Sequence, residues 1–197
     1  MSVAVAILAA GRGTRFVEKG SGPKPLANLR GRPLVSWALG AAVDSALRPI
    51  VLVVGHEGGR VARQASAAVI VTQASGWRRG IAHSLRAALD LLEGWKQVDA
   101  VCIGLADQPK VGAEAYRRLS AAYDSGAVLA AATYNGVRAN PVLIGRELWP
   151  QARELRGDEG ARQLMRAHPV VDVECGDTGD PVDVDTAEAL AALEKEH

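Results

Sequence analysis

The stretch LAAGRGTRF, residues 8–16, sets two glycines and two arginines directly behind an apolar run. Gly11 and Gly13, having no Cβ, let backbone N–H groups approach an anion closely. Arg12 and Arg15 add guanidinium groups whose geometry suits phosphate oxygens, and Lys24 adds a point charge. Residues 10–32 hold six cations (Arg12, Arg15, Lys19, Lys24, Arg30, Arg32) against the single acid Glu18. Residues 172–185 reverse this, with six acids (Asp172, Glu174, Asp177, Asp180, Asp183, Asp185) and no lysine or arginine. A charge run is by default a solvated face, and a glycine turn by default a surface turn. Two opposite runs in one small chain suggest a polyphosphate site instead. It is neither of two familiar glycine motifs: GxGxxG needs glycine where Phe16 stands, and the P-loop needs Gly-Lys-Ser/Thr six residues on.

A loop can bind only where a scaffold holds it. Apolar runs of buried-strand length fall at 3–9, 49–54, 68–72, 98–104 and 127–133. Helical patterns lie between them at 33–46, with proline first, and at 80–93, where Ile81, Leu85, Ala88, Leu89 and Leu92 share a face. Residues 60–67 and 113–123 complete the alternation, which implies right-handed crossovers and a largely parallel sheet. Tyr134-Asn135-Gly136 is a hairpin turn signal before an extended 140–144, so one antiparallel strand joins that sheet. A helix at 158–167, a strand at 170–174 and a last helix from Thr186 follow. The expected fold is therefore α/β, a doubly wound, mostly parallel central sheet with helices on both faces and one antiparallel strand, in one domain over 1–197. In such sheets ligands lie beyond the carboxyl ends of the strands, where the loop after the first strand emerges.

Composition narrows the function classes. The 197 residues are 48% hydrophobic and only 4% aromatic, so the core is built from small aliphatic side chains. A formal net charge of +1 gives no overall pull toward nucleic acid or a membrane surface. The segment 3–10 lacks a preceding basic region and falls short of the roughly 20 residues that span a bilayer. Cys102 and Cys175 form no CxxC pair, against both a disulfide framework and a zinc site, and a cytoplasmic protein is expected. His56 and His83 have no partners at ligand spacing. The tryptophans read as packing residues, with Trp77, in a glycine-flanked loop, also able to line a pocket. No arrangement for covalent catalysis is visible, and no long apolar helix offers a dimer interface, so a monomer is expected.

Further motifs continue through the chain: PKPL at 23–26, GRPLVSWAL at 31–39, VVGHE at 53–57, SLRAAL at 84–89, GLADQP at 104–109, ANPVLIGRELWP at 139–150, GDEGARQLM at 157–165 and DVDT at 183–186. In their order and spacing, with LAAGRGTR, they resemble the MobA-like nucleotidyltransferases, in particular the branch that makes molybdopterin cytosine dinucleotide. The resemblance implies a Rossmann-like nucleotidyltransferase fold and an enzyme that transfers CMP from CTP to a terminal phosphate of molybdopterin. By matched position, Leu8, Ala9, Ala10, Gly11, Arg12 and Gly13 wrap the base and triphosphate, and Ser84 lies near the base and ribose. Lys24 reaches the phosphates at the reacting centre and Arg15 the departing pyrophosphate. Asp107 holds Mg²⁺, and one of Asp183 and Asp185 completes the metal shell. LAAG, where guanosine-selecting members tend to carry LAGG, is similar to cytidine-selecting ones. Transient contact with a molybdoenzyme or a cofactor chaperone is implied as well.

Departures from the pattern keep the acceptor open. Nine positions separate Arg15 from Lys24, more than is usual, and GTR with PKPL is also the style of sugar-1-phosphate nucleotidyltransferases. GIAHS stands at 80–84 where relatives read GMGSS, Asn140 where many have His, and Ala187 where proline is frequent. A sugar-1-phosphate or other phosphorylated metabolite is the alternative acceptor, and a non-catalytic nucleotide-binding module the alternative class. A nicotinamide-dependent oxidoreductase is disfavoured by the missing GxGxxG.

Overall fold

The computed structural model describes residues 2–11, 13, 16 and 22–196. Its elements run β1 (Ser2–Ala9), β2 (Asn28–Leu29), β3 (Arg32–Pro33), α1 (Leu34–Asp44), β4 (Ile50–Val54), α2 (Gly58–Ala62), β5 (Val69–Gln73), α3 (Ile81–Glu93), β6 (Val98–Leu105) and α4 (Ala113–Asp124). They continue with β7 (Leu129–Tyr134), β8 (Val137–Gly145), α5 (Trp149–Glu154), α6 (Arg162–Ala167), β9 (Val171–Glu174) and α7 (Ala187–Lys195). Seven strands form one sheet in the order β5-β4-β1-β6-β8-β7-β9, and β2 with β3 forms a separate small ribbon. Only β8 runs against the others, pairing antiparallel with both β6 and β7. The expected sheet, with its single antiparallel strand, is what the chain forms.

The sheet is buried on both faces, and β1 shows why. Val3, Val5, Ile7 and Ala9 pack into one hydrophobic cluster with α1 and α4, while Ala4, Ala6, Leu8 and Ala10 pack into the other with α3 and α5. Successive strand residues point to opposite faces, so a strand covered on both sides must be apolar throughout. A third cluster, with Phe16, Leu29, Leu34, Val184, Leu190 and Leu193, fastens α7 beside the first loop. Thr186 caps α7, its hydroxyl accepting from the Ala189 N–H at 3.1 Å.

Two helices are shorter than their sequence patterns. The helix expected over 60–67 ends at Ala62: Val61 is its only buried residue, and the chain goes on in tighter turns, with the Gln64 N–H on the Val61 carbonyl and the Ala65 N–H on the Ala62 carbonyl, both at 3.0 Å. The one expected over 158–167 starts at Arg162, since Gly157 and Gly160 stand at φ +68° and +50°, outside the right-handed helical region. The β2–β3 ribbon and α5 have no counterpart in the sequence reading.

After β1 the chain builds outward through β4 and β5, then returns to place β6 on the other side of β1. The strand order reverses there, and the crevice beyond the carboxyl ends of β1 and β6 is where this architecture puts a ligand. Among the described residues no helix is long and apolar enough to cross a membrane.

Candidate active site

The end of β1 is held from both sides. The Ala106 N–H donates to the Leu8 carbonyl at 3.1 Å, and the His56 N–H donates to the Ala10 carbonyl at 3.2 Å. Past this clamp the backbone turns through Gly11 and Gly13, and Gly13 has φ +62°. A Cβ on Gly13 would lie 2.6 Å from the Lys24 Cβ, so the bare glycine is what lets Lys24 pack beneath the turn. Phe16, buried against α7's cluster, closes the turn with its N–H on the Gly13 carbonyl at 2.9 Å. Arg12 and Arg15, the cations expected on the triphosphate, lie outside the described residues.

Lys24 opens a one-turn 3₁₀ segment, Lys24–Leu26, and is only 9% exposed. Its Nζ lies 2.6 Å from Asp107 Oδ2 and 2.6 Å from Asp185 Oδ1. Burial works against the ammonium, but the carboxylates of Asp107 and Asp185 outweigh it and hold the Lys24 pKa above its ordinary value. Asp107 follows β6, and the segment carrying Asp183 and Asp185 is zipped alongside it. The Val184 N–H donates to the Asp107 carbonyl at 2.9 Å and the Asp180 N–H to the Lys110 carbonyl at 3.2 Å. Gln108 completes the seam, its Nε2 donating to the Pro181 carbonyl and to Asp183 Oδ1, both at 2.9 Å. Desolvation, then the charges of Asp107 and Asp185, push the Asp183 carboxyl pKa up against the opposing Gln108 hydrogen bond and the Lys24 charge.

These groups open into a cleft of about 740 Å³. Leu8, Ala10 and Leu105 form its floor. Gly11, Gly13 and Lys24 stand on one side with Asp107 and Asp185, and Trp77, Arg78, Gly80, Ile81, Ser84 and Asp158 on the other. Ser84 sits in the first turn of α3 and is buried. Trp77 carries the Arg78 guanidinium over its ring at 4.4 Å and lies 5.3 Å from the His56 ring. A Cβ on Gly55 would meet Trp77 Cγ at 2.8 Å, so that glycine seats the indole at the strand ends.

Of the sequence candidates, the structure brings Leu8, Ala10, Gly11, Gly13, Lys24, Ser84, Asp107 and Asp185 to one cleft. Ala9 points into the opposite core face and borders a hollow of about 80 Å³ under Lys24. Asp183 faces Gln108 and does not line the cleft. The sequence reading had no role for Arg78, Gln108 or Asp158. Asp158 belongs to the GDEGARQLM motif, and its carboxylate accepts from the Ile81 N–H at 3.3 Å, at the start of α3.

The donor set suits a hard divalent cation. Two carboxylates already converge on one positive charge, and every candidate ligand is oxygen. Among the described residues no group of three or more His, Cys, Asp or Glu side chains is gathered at coordinating distance, so Asp107 and Asp185 are the pair that converges, with Asp183 turned aside.

The MobA-like NTP transferase domain model matches residues 5–173. Among curated proteins, the chain is 31% identical to a nicotine blue oxidoreductase of Paenarthrobacter nicotinovorans, over 95% of this chain and 94% of that protein. It is 37% identical to the bifunctional protein GlmU of Trichlorobacter lovleyi over 60% of this chain, and spans about a quarter of that protein's length, 25%. Among solved structures it superposes on Rv0371c of Mycobacterium tuberculosis with a TM-score of 0.84 at 24% identity, covering 100% of this chain and 99% of that one. A structure of Rv0371c in complex with manganese gives a TM-score of 0.80 at 23% identity, covering 100% of both chains.

Proposed function

Since the chain belongs to the MobA-like NTP transferase family, we propose that it transfers CMP from CTP to the terminal phosphate of molybdopterin, releasing pyrophosphate. The observation that carries this reading is the meeting of Lys24 with Asp107 and Asp185 at 2.6 Å, beside the Gly11–Gly13 turn at the reversal point of the sheet. The reaction needs an anion-tolerant pocket, and the cleft supplies bare backbone, a buried ammonium and paired carboxylates together along one side.

An acceptor phosphate oxygen attacks the α-phosphorus of CTP, and the bond to the bridging oxygen breaks with its electron pair leaving on pyrophosphate. A phosphate monoester, with a second pKa of about 6, is largely dianionic at neutral pH and needs no general base. What the protein must supply is alignment and charge stabilisation. Lys24, its ammonium protonated throughout the neutral range, stabilises charge growing on the α-phosphate. Arg12 and Arg15 are given the β- and γ-phosphates by the motif match alone. Asp107 and Asp185 would hold Mg²⁺, which when bound would supply positive charge to offset that of the phosphates. Ser84 and Trp77 bound the nucleoside end, and the LAAG turn favours cytosine. A cytoplasmic location and handover to a molybdoenzyme or cofactor chaperone go with this reading.

The test is pyrophosphate release from CTP and from GTP with Mg²⁺, with and without molybdopterin. Release that depends on molybdopterin and prefers CTP supports the proposal, and release only with a sugar 1-phosphate replaces the acceptor. The GlmU match favours that second acceptor class. A further reading follows from the near full-length oxidoreductase relative: the same cleft would hold a nicotinamide dinucleotide through its pyrophosphate. Oxidation of NADH or NADPH without pyrophosphate chemistry would favour it.

A further inference from the structure

Of the acids that line the cleft, Asp107 and Asp185 converge on the Lys24 ammonium, whereas Asp158 stands on the other wall with Trp77, Ile81 and Ser84. Its place there is built by the loop that carries it. Gly80, the residue before α3, has no side chain with which to cap the helix. The missing partners come from a loop 77 residues further along: Asp158 Oδ1 accepts from the Ile81 N–H at 3.3 Å, and the Gly157 carbonyl accepts from the Ala82 N–H at 3.2 Å. A Cβ on Gly80 would lie 2.3 Å from the Gly157 carbonyl and 2.8 Å from Asp158 Oδ1, so the bare glycine is what admits the loop. Arg86 of α3 fastens the chain before it, with Nε on the Arg153 carbonyl at 2.7 Å and Nη2 on the Leu155 carbonyl at 3.2 Å. After it, Gly160 is buried close to Ile81, where a Cβ would lie 3.0 Å from Ile81 Cγ2.

A carboxylate offers about four acceptor positions, and the Ile81 N–H takes one of them. Like charges repel, so what a fixed carboxylate can meet of a nucleotide is an uncharged donor rather than a phosphate. With the triphosphate held at Gly11, Gly13 and Lys24, the ribose is the part that leads away from the phosphates toward the wall of α3, where Ser84 stands one turn beyond Ile81. A ribose presents two adjacent hydroxyls, which suit the two oxygens of one carboxylate. Cytosine instead sets its amine beside the N3 acceptor, which the second oxygen would oppose. Acidic side chains accept from ribose hydroxyls in the same way in doubly wound dinucleotide-binding folds.

We infer that Asp158 accepts hydrogen bonds from the ribose hydroxyls of the bound nucleotide, and so selects ribonucleotides over deoxyribonucleotides. The inference rests on the transferase reading for the presence of a nucleotide and adds to it the residue that reads the sugar.

The first arm measures binding of CTP, 2′-deoxy-CTP and 3′-deoxy-CTP to the whole protein with Mg²⁺ by calorimetry, with no acceptor present. Wild type should bind at least one deoxy analogue about tenfold or more weakly than CTP, the size of one hydrogen bond to a charged group. That ratio should collapse toward unity in Asp158→Ala. Asp158→Asn keeps an oxygen for the Ile81 N–H, so the wall stays in place, and the ratio should fall there too. The second arm measures pyrophosphate release, where Asp158→Asn should raise the KM for CTP and leave the acceptor KM unmoved. An unchanged ratio in both variants overturns the inference, as does a wild type that binds all three nucleotides equally or none of them. Weaker CTP binding with the ratio intact reduces Asp158 to holding α3, and a raised acceptor KM with the ratio intact moves its contact to the acceptor; either result overturns the sugar assignment. A ratio that depends on Asp158, without pyrophosphate release from any acceptor, supports the sugar contact and counts against the transferase reading, which separates the two failures.

Discussion

Lys24 Nζ and Asp107 Oδ2 meet at 2.6 Å across the carboxyl ends of β1 and β6, and Asp185 completes the clasp at the same distance. A lysine ammonium therefore stands where a divalent cation binding both carboxylates would have to enter. On the proposed reading the two positive charges would compete for one place, and the lysine would have to release the carboxylates as metal and triphosphate arrive.

Lys24→Met tests this exchange directly. With the competing ammonium gone, Mn²⁺ binding to the protein alone, followed by EPR, should tighten roughly tenfold, in line with the attraction of partly shielded charges at contact. Turnover should fall by about 10²–10³ because a donor aimed at transition-state charge is worth about 2.7–4 kcal/mol. Unchanged Mn²⁺ affinity would mean that the carboxylates are available in spite of the lysine.

Asp107→Asn and Asp185→Asn should each abolish most turnover, and both should weaken Mn²⁺ binding in the presence of CTP. Each also removes one partner of a shielded ammonium, for which about 3–5 kcal/mol is the fully buried limit. Exposure of the Asp185 side chain, at 39% against 24% for Asp107, makes Asp185→Asn the milder of the two in thermal unfolding.

Much of this was legible in the residues. The both-faced apolar alternation of β1, the glycine turn behind it and the Asn135-Gly136 hairpin are local patterns, and each element formed where its pattern lay. The meeting of Lys24, Asp107 and Asp185 is non-local, and only the order of motifs hinted at it. The seam through Gln108 left no such signal, because a glutamine after an aspartate has no period or spacing of its own. Helix α5 escaped notice for a different reason: its six residues are held by Trp149 and Ala152 in the core, a packing cause that no short window displays.

Gln108 is 4% exposed, and its Oε1 is buried with no partner among the described residues, so its Nε2 hydrogen bonds are what hold it there. Gln108→Leu should cost about 1.5–3 kcal/mol, the range for a hydrogen bond to a charged group. Freeing the 181–185 segment should also lower kcat more than it raises the KM for CTP, because Asp185 is misplaced rather than lost. Stability loss with wild-type kinetics would reduce Gln108 to a packing role.

His83 makes stability depend on pH in a defined window. Its folded pKa is lowered, so between that value and the unfolded value of about 6.5 the unfolded chain binds more protons. Stability therefore rises with pH through this window and is lost on acidification. Arg79→Ala removes one cause of the depression and should flatten the slope, measured as Tm against pH relative to wild type.

Gly80, which lines the cleft, and Gly157, which packs against it, provide a last, paired test. Both stand at positive φ, +110° and +68°, but only Gly80 is also enclosed: an added Cβ would lie 2.3 Å from the Gly157 carbonyl, whereas Gly157 has nothing within 4 Å. Gly157→Ala meets the backbone penalty alone, about 1–2 kcal/mol for a left-handed alanine. Gly80→Ala adds a collision with main chain that cannot step aside, of the order of 1–3 kcal/mol more. The Ala82 N–H bond to the Gly157 carbonyl, at 3.2 Å, ties α3 to this contact, so the collision should also displace Ser84 and raise the KM for CTP. Equal losses in urea unfolding for the two variants would show that the contact yields, and that the close approach of these two glycines does not fix the start of α3.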